Sequence, residues 1–438
     1  MSRITRRIKR EKEEQINFFE EFIKLQKHFF KDIFKKLKSV KDPRHQSYIE
    51  YESDILLFAI ILKNVFCIDS MSSMTEKFNK NACIENVSKL LGYKDLEDFP
   101  HYDTINNFLC KLQPREIEKI RDYMIHQLFK KRSLERFRLL DKFWCIAIDA
   151  TGLFSFSERH CEHCLKKEYK NKDTGKIERI IYYHNVLEAK LVVGDMVFSM
   201  ATEFIENEDE NVSKQDCEIN AFKRLAAKLK SKYSQLPICI LGDSLYACEP
   251  VFDICRNNNW KYLIRFKEGR IKSVAKEFST LKVIEGKKNE SCTWINEIEY
   301  NQSKINLIEA ETKDESGINK SYVFITDIKI TQRNADKIVS FGRSRWKIEN
   351  QGFNNQKTKK YKIEHANSLN YNAMKNHYLI TQLADILRQL YEKGLDKIKD
   401  LNKSIKEISS SLLESFRTRL LTNEDTLHIE KRMKIRFL

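Results

Sequence analysis

Apolar residues recur at helical spacing through residues 11–38, at Ile16, Phe19, Phe22, Ile23, Phe29, Phe30 and Ile33, with lysines between them. That pattern predicts a basic amphipathic helix. Asp42-Pro43 interrupts it. From Ile49 to about Leu139 the chain reads as several helices joined by short polar turns. One is predicted to start at Asp103 in HYDTINNFLCKL, where an aspartate can serve as N-cap. The period changes at Phe143. FWCIAIDA, VLEAKLVVGDMVFSMATEF, PICILGD and WKYLIRF are rich in β-branched and aromatic residues and predict strands. The second of these reads as a hairpin turning at Gly194-Asp195. KQDCEINAFKRLAAKLKSKY and EPVFDICRNNN read as helices among the strands, which makes this region α/β. Residues 280–330 alternate as an antiparallel β segment, residues 334–390 are helical, and a helical, Lys-rich tail follows.

Composition narrows the function. The chain has 438 residues, 41% of them hydrophobic, with only 5 Pro and 11 Gly, so it is long and apolar enough for a folded core. A net charge of +16 suits a polyanionic partner, because basic side chains on phosphates release condensed counterions. The excess is concentrated at the start: residues 1–45 hold 14 Lys/Arg against 7 Asp/Glu, a local +7. The longest apolar run, Ile55 to Leu62, is too short to span a bilayer, and no apolar stretch follows the N-terminal arginines. A cytoplasmic protein is expected, and its 11 cysteines read as reduced thiols. No P-loop or dinucleotide glycine motif is present, so no nucleotide cofactor is expected; no G-x-S-x-G elbow marks a hydrolase triad.

Three carboxylates stand in informative places. Asp149 and Asp243 each follow a short strand-like run, and Glu349 lies in the charged helical stretch RSRWKIENQGFNNQK, residues 343–357. Phosphodiester chemistry needs an in-line oxygen nucleophile and neutralisation of the leaving oxygen; two Mg²⁺ or Mn²⁺ ions held by Asp and Glu oxygens supply both. Asp149 is the natural bridging ligand, with Asp243 and Glu349 as flanking ligands. Each aspartate taken alone also reads as an ordinary turn or helix cap. A phosphatase of the haloacid dehalogenase type would need a second Asp two residues after Asp149, where this chain has Thr151.

IAIDATGLF, CILGDSLYAC and RSRWKIENQGFNNQK followed by NAMKNHYLITQLADIL resemble transposases of bacterial insertion sequences, of the DDE, ribonuclease H-like superfamily. In the branch with a Tyr-Arg-Glu-Lys signature, the catalytic helix reads Tyr, two residues, Arg, three residues, Glu, six residues, Lys. Arg345 and Glu349 match; Gly342 holds the Tyr place, Gln356 the Lys place, and Lys357 comes one residue late. The resemblance implies an α/β, ribonuclease H-like core with a β-rich insertion before the last catalytic helix and a helical N-terminal domain. The expected division is 1–140 (DNA binding and dimerisation), 141–275 (core), 276–332 (β insertion), 333–392 (completing the core) and 393–438 (tail). It also implies metal-dependent cleavage and transfer of double-stranded DNA, transposon ends and target alike, by a homodimer associated with the bacterial nucleoid. Arg345, Lys347 and Lys357 would position phosphates, Lys359 and Lys360 would extend the basic track, and Arg3, Arg6 and Arg7 would add N-terminal contacts. Thr104, Asn106 and Asn107 could face bases, or their helix could serve packing or dimerisation. Trp294 and Tyr300 could stack on bases or fill the sheet core. A repurposed, non-catalytic DNA-binding relative is the alternative; loss of a carboxylate would mark it, and all three are present.

HCEHC, residues 160–164, is separate from this pattern. Cys161 and Cys164 form a C-x-x-C half-site flanked by His160 and His163; a Zn²⁺ site would need completion from elsewhere, by His184 or Cys217. The other reading is a loop that happens to be rich in Cys and His. Asp216 and Glu218 are either additional acidic ligands or carboxylates favoured by a helix N-terminus.

Overall fold

The computed structural model describes Glu13, residues 16–313, residues 319–433, Ile435 and Phe437. Arg3, Arg6 and Arg7 lie outside the described residues. The chain forms two compact units, residues 1–133 with 354–438, and residues 134–353. No described helix is long and apolar enough to cross a membrane.

The first unit is helical around Tyr371–Gly394, which packs against Ser53–Val65, Tyr102–Lys111 and Pro114–Phe129. Every residue of the central helix from Asn376 to Tyr391 is buried, including Asp385 and Arg388. Such polar groups are tolerated only when paired. Arg388 accordingly donates to Glu392, to the Val65 and Ile405 carbonyls and to Ser409. The basic amphipathic stretch is two helices, Phe18–Phe29 and Ile33–Lys38, with Phe19 packed on Phe66 and Phe416. Phe416 belongs to Ile405–Thr418, which packs on Phe18–Phe29 and Asn81–Leu91, so the C-terminal segment is part of this unit's core. Tyr102–Lys111 is capped by His101 rather than Asp103: the Asp103 N–H donates to the His101 ring. It buries Ile105, Phe108 and Leu109, and its last carbonyls accept from Asn372 and Asn376.

The second unit is built on one ten-stranded mixed sheet. Its strands are β1 (Trp144–Phe156), β2 (Leu165–Lys170), β3 (Ile177–Val193), β4 (Met196–Ile205), β5 (Ile238–Gly242) and β6 (Lys261–Phe266), then β7 (Lys287–Lys288), β8 (Cys292–Tyr300), β9 (Ser303–Lys313) and β10 (Asn319–Thr326). The core runs β4-β3-β1-β5-β6, antiparallel through β4, β3 and β1 and parallel from β1 through β5 to β6. This is a ribonuclease H-like order. Buried Ile146, Ile148, Ile240 and Ile264 fill its middle, as parallel strands covered by helices require. β3 and β4 turn at Gly194-Asp195 as predicted; Gly194 has φ +57°, the left-handed value a tight hairpin needs.

The β-rich segment does precede the Glu349 region, and it is continuous with the core sheet. β10 pairs antiparallel with β6, and β9, β8 and β7 follow outward. Trp294 is only 2% exposed and sits in the hydrophobic core of this unit, so it is a sheet-core aromatic and is not available to stack on DNA. Tyr300 meets the Phe252 ring edge-on at 6.1 Å.

Candidate active site

The sheet register sets two carboxylates side by side. β1 and β5 are parallel neighbours with Ala147 opposite Leu241, and Asp149 and Asp243 each lie two residues further along. Asp149 falls inside β1, with its side chain 16% exposed. Asp243 ends its strand and caps the following turn: its Oδ1 accepts from the Leu245 N–H at 2.8 Å. The cap and the site position coexist in one residue.

Glu349 arrives from the chain's next helical stretch. The helix Ala335–Ser344 ends before Arg345, and Ile348–Phe353 and Asn355–Lys360 are wound as π-helix. The single helix expected over 343–357 is therefore broken at Arg345-Trp346. Arg345 Nη1 donates to Asp149 Oδ2 at 3.4 Å and to Glu349 Oε1 at 3.3 Å, tying the third carboxylate to the first. Burial pushes the Asp149 carboxyl up to about 7; Arg345 pulls it down, and the Glu349 and Asp243 charges push it up again. A carboxylate so crowded by its own kind binds cations readily. Glu349 itself is half exposed.

A cavity of about 520 Å³ opens beside these groups. Asp243 and Glu349 line it on the acidic side, and Arg265, Lys267, Arg343 and Arg345 add cations. Tyr322 of β10 lies among them, with the Arg265 guanidinium 4.6 Å and the Arg343 guanidinium 5.2 Å from its ring centre. Carboxylates and basic side chains thus share one pocket. Arg343 opens the 343–357 stretch, but Arg265, Lys267 and Tyr322 carry no motif and reach the site through the β6–β10 pairing, which no sequence spacing displays. Glu188 does carry a signal, an acid inside the apolar run VLEAKLVV. It is fully buried, pairs with Asp149 across β1 and β3, and accepts from the Thr202 hydroxyl at 2.5 Å.

The remaining candidates have diverse settings. Lys347 donates to the Gly194 carbonyl (2.7 Å) and to Asp195 (3.0 Å), which fastens its stretch to the β3–β4 turn. Lys357 belongs to the helical unit and pairs with Glu364 at 2.8 Å; Lys359 is exposed. Lys360 is buried, with its ammonium 2.9 Å from Glu392, so it holds that unit's core together and is removed from the basic track. Gln356 is fully buried and donates to Gln382 and Asp385. Asp216 is engaged by Arg224 at 2.6 Å. Glu218 accepts from Tyr246; burial raises its pKa, and the Asp243 charge adds to the rise.

The metal-ligand candidates in HCEHC also separate. Cys161, Cys164 and His184 bring their donor atoms within 4.8 Å of one another. His160 instead stacks on Tyr182, and the His163 ring bonds the Asn207 carbonyl. Cys217 is exposed outside the cluster. The Cys164 hydrogen bond, with His184 assisting against burial, pulls the Cys161 thiol down to about 4. Asp149, Asp243 and Glu349 do not form so tight a group among the described residues. Their donor set suits a pair of hard cations better than a single-ion cage.

This core and its acidic pocket define a chain of the DDE transposase class. A family model described as "Transposase DDE domain" matches residues 144–387, and the protein belongs to that family. Among solved structures, it is similar to a piggyBac transposase in a synaptic complex with hairpin DNA, at 11% identity, covering 95% of this chain and 83% of that one with a TM-score of 0.40. No curated protein sequence matches it.

Proposed function

We propose that the protein is an insertion-sequence DNA transposase that binds its element's ends and carries out metal-dependent strand cleavage and strand transfer. The observation that carries this reading is a pocket lined by Asp243, Arg345 and Glu349, with Arg345 also bonded to Asp149 on the neighbouring strand, inside a transposase DDE domain. Asp149, Asp243 and Glu349 would hold two Mg²⁺ or Mn²⁺ ions; when bound, such ions activate the attacking oxygen and offset charge on the leaving oxygen. The fit rests on donor chemistry: three carboxylate ligands, with burial raising Asp149 to about 7 and the Glu349 and Asp243 charges adding to the rise.

The chain's own residues do the rest. Arg345 bridges Asp149 and Glu349 and orients both, and Arg265, Lys267 and Arg343 would present guanidinium and ammonium groups to the phosphates of the scissile strand. Asp243, fixed by its cap to Leu245, holds its carboxylate in one orientation at the strand end. Water attacks first to free a 3′-hydroxyl, and that hydroxyl then attacks target DNA. Lys359 and Lys357 would extend contact along the duplex, and a homodimer would hold two ends in synapsis.

The test is cleavage and joining on candidate element-end DNA in Mg²⁺ or Mn²⁺. Wild type should cut and join, while Glu349→Gln should bind the same DNA and cut at least about 10²-fold more slowly. Equal cutting by the two proteins would remove Glu349 from the site. Binding without cutting by wild type would favour a repurposed DNA-binding protein.

A further inference from the structure

The connection between β1 and β2, residues 157–164, brings two thiols against β3. Cys161 Sγ lies 3.6 Å from Cys164 Sγ, and His184 Nε2 lies 3.4 Å from the first and 3.2 Å from the second. Bonds of 2.0–2.3 Å to a tetrahedral Zn²⁺ place neighbouring donors roughly 3.3–3.8 Å apart. The observed triangle is close to that size. Among the described residues, no other group of three Cys, His, Asp or Glu donors gathers within 4.8 Å.

The surrounding structure fixes the triangle. The Cys164 N–H donates to the Cys161 carbonyl at 3.1 Å, closing the C-x-x-C segment into a turn, and the Cys161 N–H points at Cys164 Sγ at 3.4 Å. Asn207 pins this turn from the end of β4: its side chain donates to the Cys164 carbonyl and its N–H to the His163 carbonyl. His184 is buried in β3, flanked by Tyr183 opposite Leu165 of β2 and by Asn185 opposite Gly152 of β1. Its ring is therefore oriented by two ladders. The cluster shares no residue with the Asp149–Asp243–Glu349 site or its pocket.

We propose that Cys161, Cys164 and His184 bind a structural Zn²⁺ that staples the β1–β2 connection to β3. The fourth position falls to water or to one of the flanking histidines. The staple sits where β2 and the outer half of β3 leave the core, and the hairpin beyond it carries exposed Lys166, Lys167, Lys170, Lys172, Lys176 and Arg179. That hairpin is a polar, two-stranded ribbon with little apolar surface to bury, and such ribbons are marginal alone. The ion supplies the anchoring that packing does not, and it fixes a basic arm to β3, the strand paired with the one that carries Asp149.

Zinc content of the full-length protein, purified with reductant and without chelator, tests this. Wild type and the exposed-thiol control Cys217→Ser should carry about one Zn²⁺ per chain, and Cys161→Ser, Cys164→Ser and His184→Ala well under half of that. Extracting the metal should speed tryptic cleavage within residues 165–181 by roughly tenfold, with protection restored by Zn²⁺ alone. Because extraction leaves the sequence intact, that second reading separates metal loss from a misfolded variant. Metal-free wild type that takes up no added Zn²⁺, zinc content unchanged in the cysteine variants, or a Cys161–Cys164 disulfide that survives as the native form would each overturn the proposal.

Discussion

Gly342 marks where the chain departs from the Tyr-Arg-Glu-Lys signature, and the departure has a packing cause. A Cβ at residue 342 would lie 2.7 Å from the ring of Phe324, which is itself only 2% exposed. A tyrosine has no room there, while Tyr322 on the neighbouring strand lines the same pocket. Gly342→Ala should therefore destabilise the protein: overpacking costs about 1–3 kcal/mol and outweighs the helix-propensity gain of about 1 kcal/mol. Denaturant melts check this, and the penalty of Gly342→Ala should be smaller when measured in a Phe324→Ala background, where the clashing ring is gone. Arg345 invites a different experiment. It supplies a fork that contacts two carboxylates, so Arg345→Ala should lower cleavage by about 10²-fold with folding retained, and Arg345→Lys should restore only part, since an ammonium lacks the fork. Single-turnover cleavage assays decide it. Both residues were legible as positions in a motif. What the sequence could not display was Phe324 above Gly342, because that contact depends on β10 lying next to the helix.

At the scale of elements, the strands with buried faces were readable and the exposed ones were not. FWCIAIDA and PICILGD announce β1 and β5 through continuous apolar runs, and Gly194-Asp195 announces its hairpin. β2 reads LKKEYK with five of six residues exposed, so it has no hydrophobic period to detect; its pairing with β3 defines it. The stretch after Arg345 misleads for another reason. Its π winding takes in more residues per turn than an α-helix, so six-residue spacings counted for an α-helix do not carry over to Gln356 and Lys357. Lys360 looked like a phosphate contact because charge is visible in sequence and burial is not. Its partner Glu392 gives a prediction. Burial pushes that carboxyl up, but Lys360 and Arg388 outweigh burial and hold it at about 2, against 4.5 unperturbed. A depressed folded pKa means stability that is complete above about 4.5 and lost as pH falls towards 2. The stability gap between wild type and Glu392→Gln should thus shrink, by an amount on the order of 3 kcal/mol, across that window in chemical melts.

The molecule as a whole is a basic chain with an acidic site. Its +16 charge should make DNA binding strongly salt-dependent, with affinity falling by about 10³ or more between 50 and 200 mM salt in binding titrations. Lys359→Ala should reduce the slope by about 0.9, whereas Lys360→Met should leave it unchanged because that ammonium is buried. The two-unit arrangement, with residues 354–438 joined to residues 1–133, follows from aromatic packing such as Phe19 on Phe416, a contact separated by nearly the whole chain and invisible to local periodicity. The central claim, that strand cleavage runs on cations held by these carboxylates, is tested most directly by changing the softness of one ligand. Asp243→Cys should be nearly inactive in Mg²⁺ and should recover a substantial part of its cleavage in Mn²⁺, which accepts sulfur ligands more readily. A folded Asp243→Cys protein that cuts as fast as wild type in Mg²⁺, or that stays equally inactive with either metal, would contradict it.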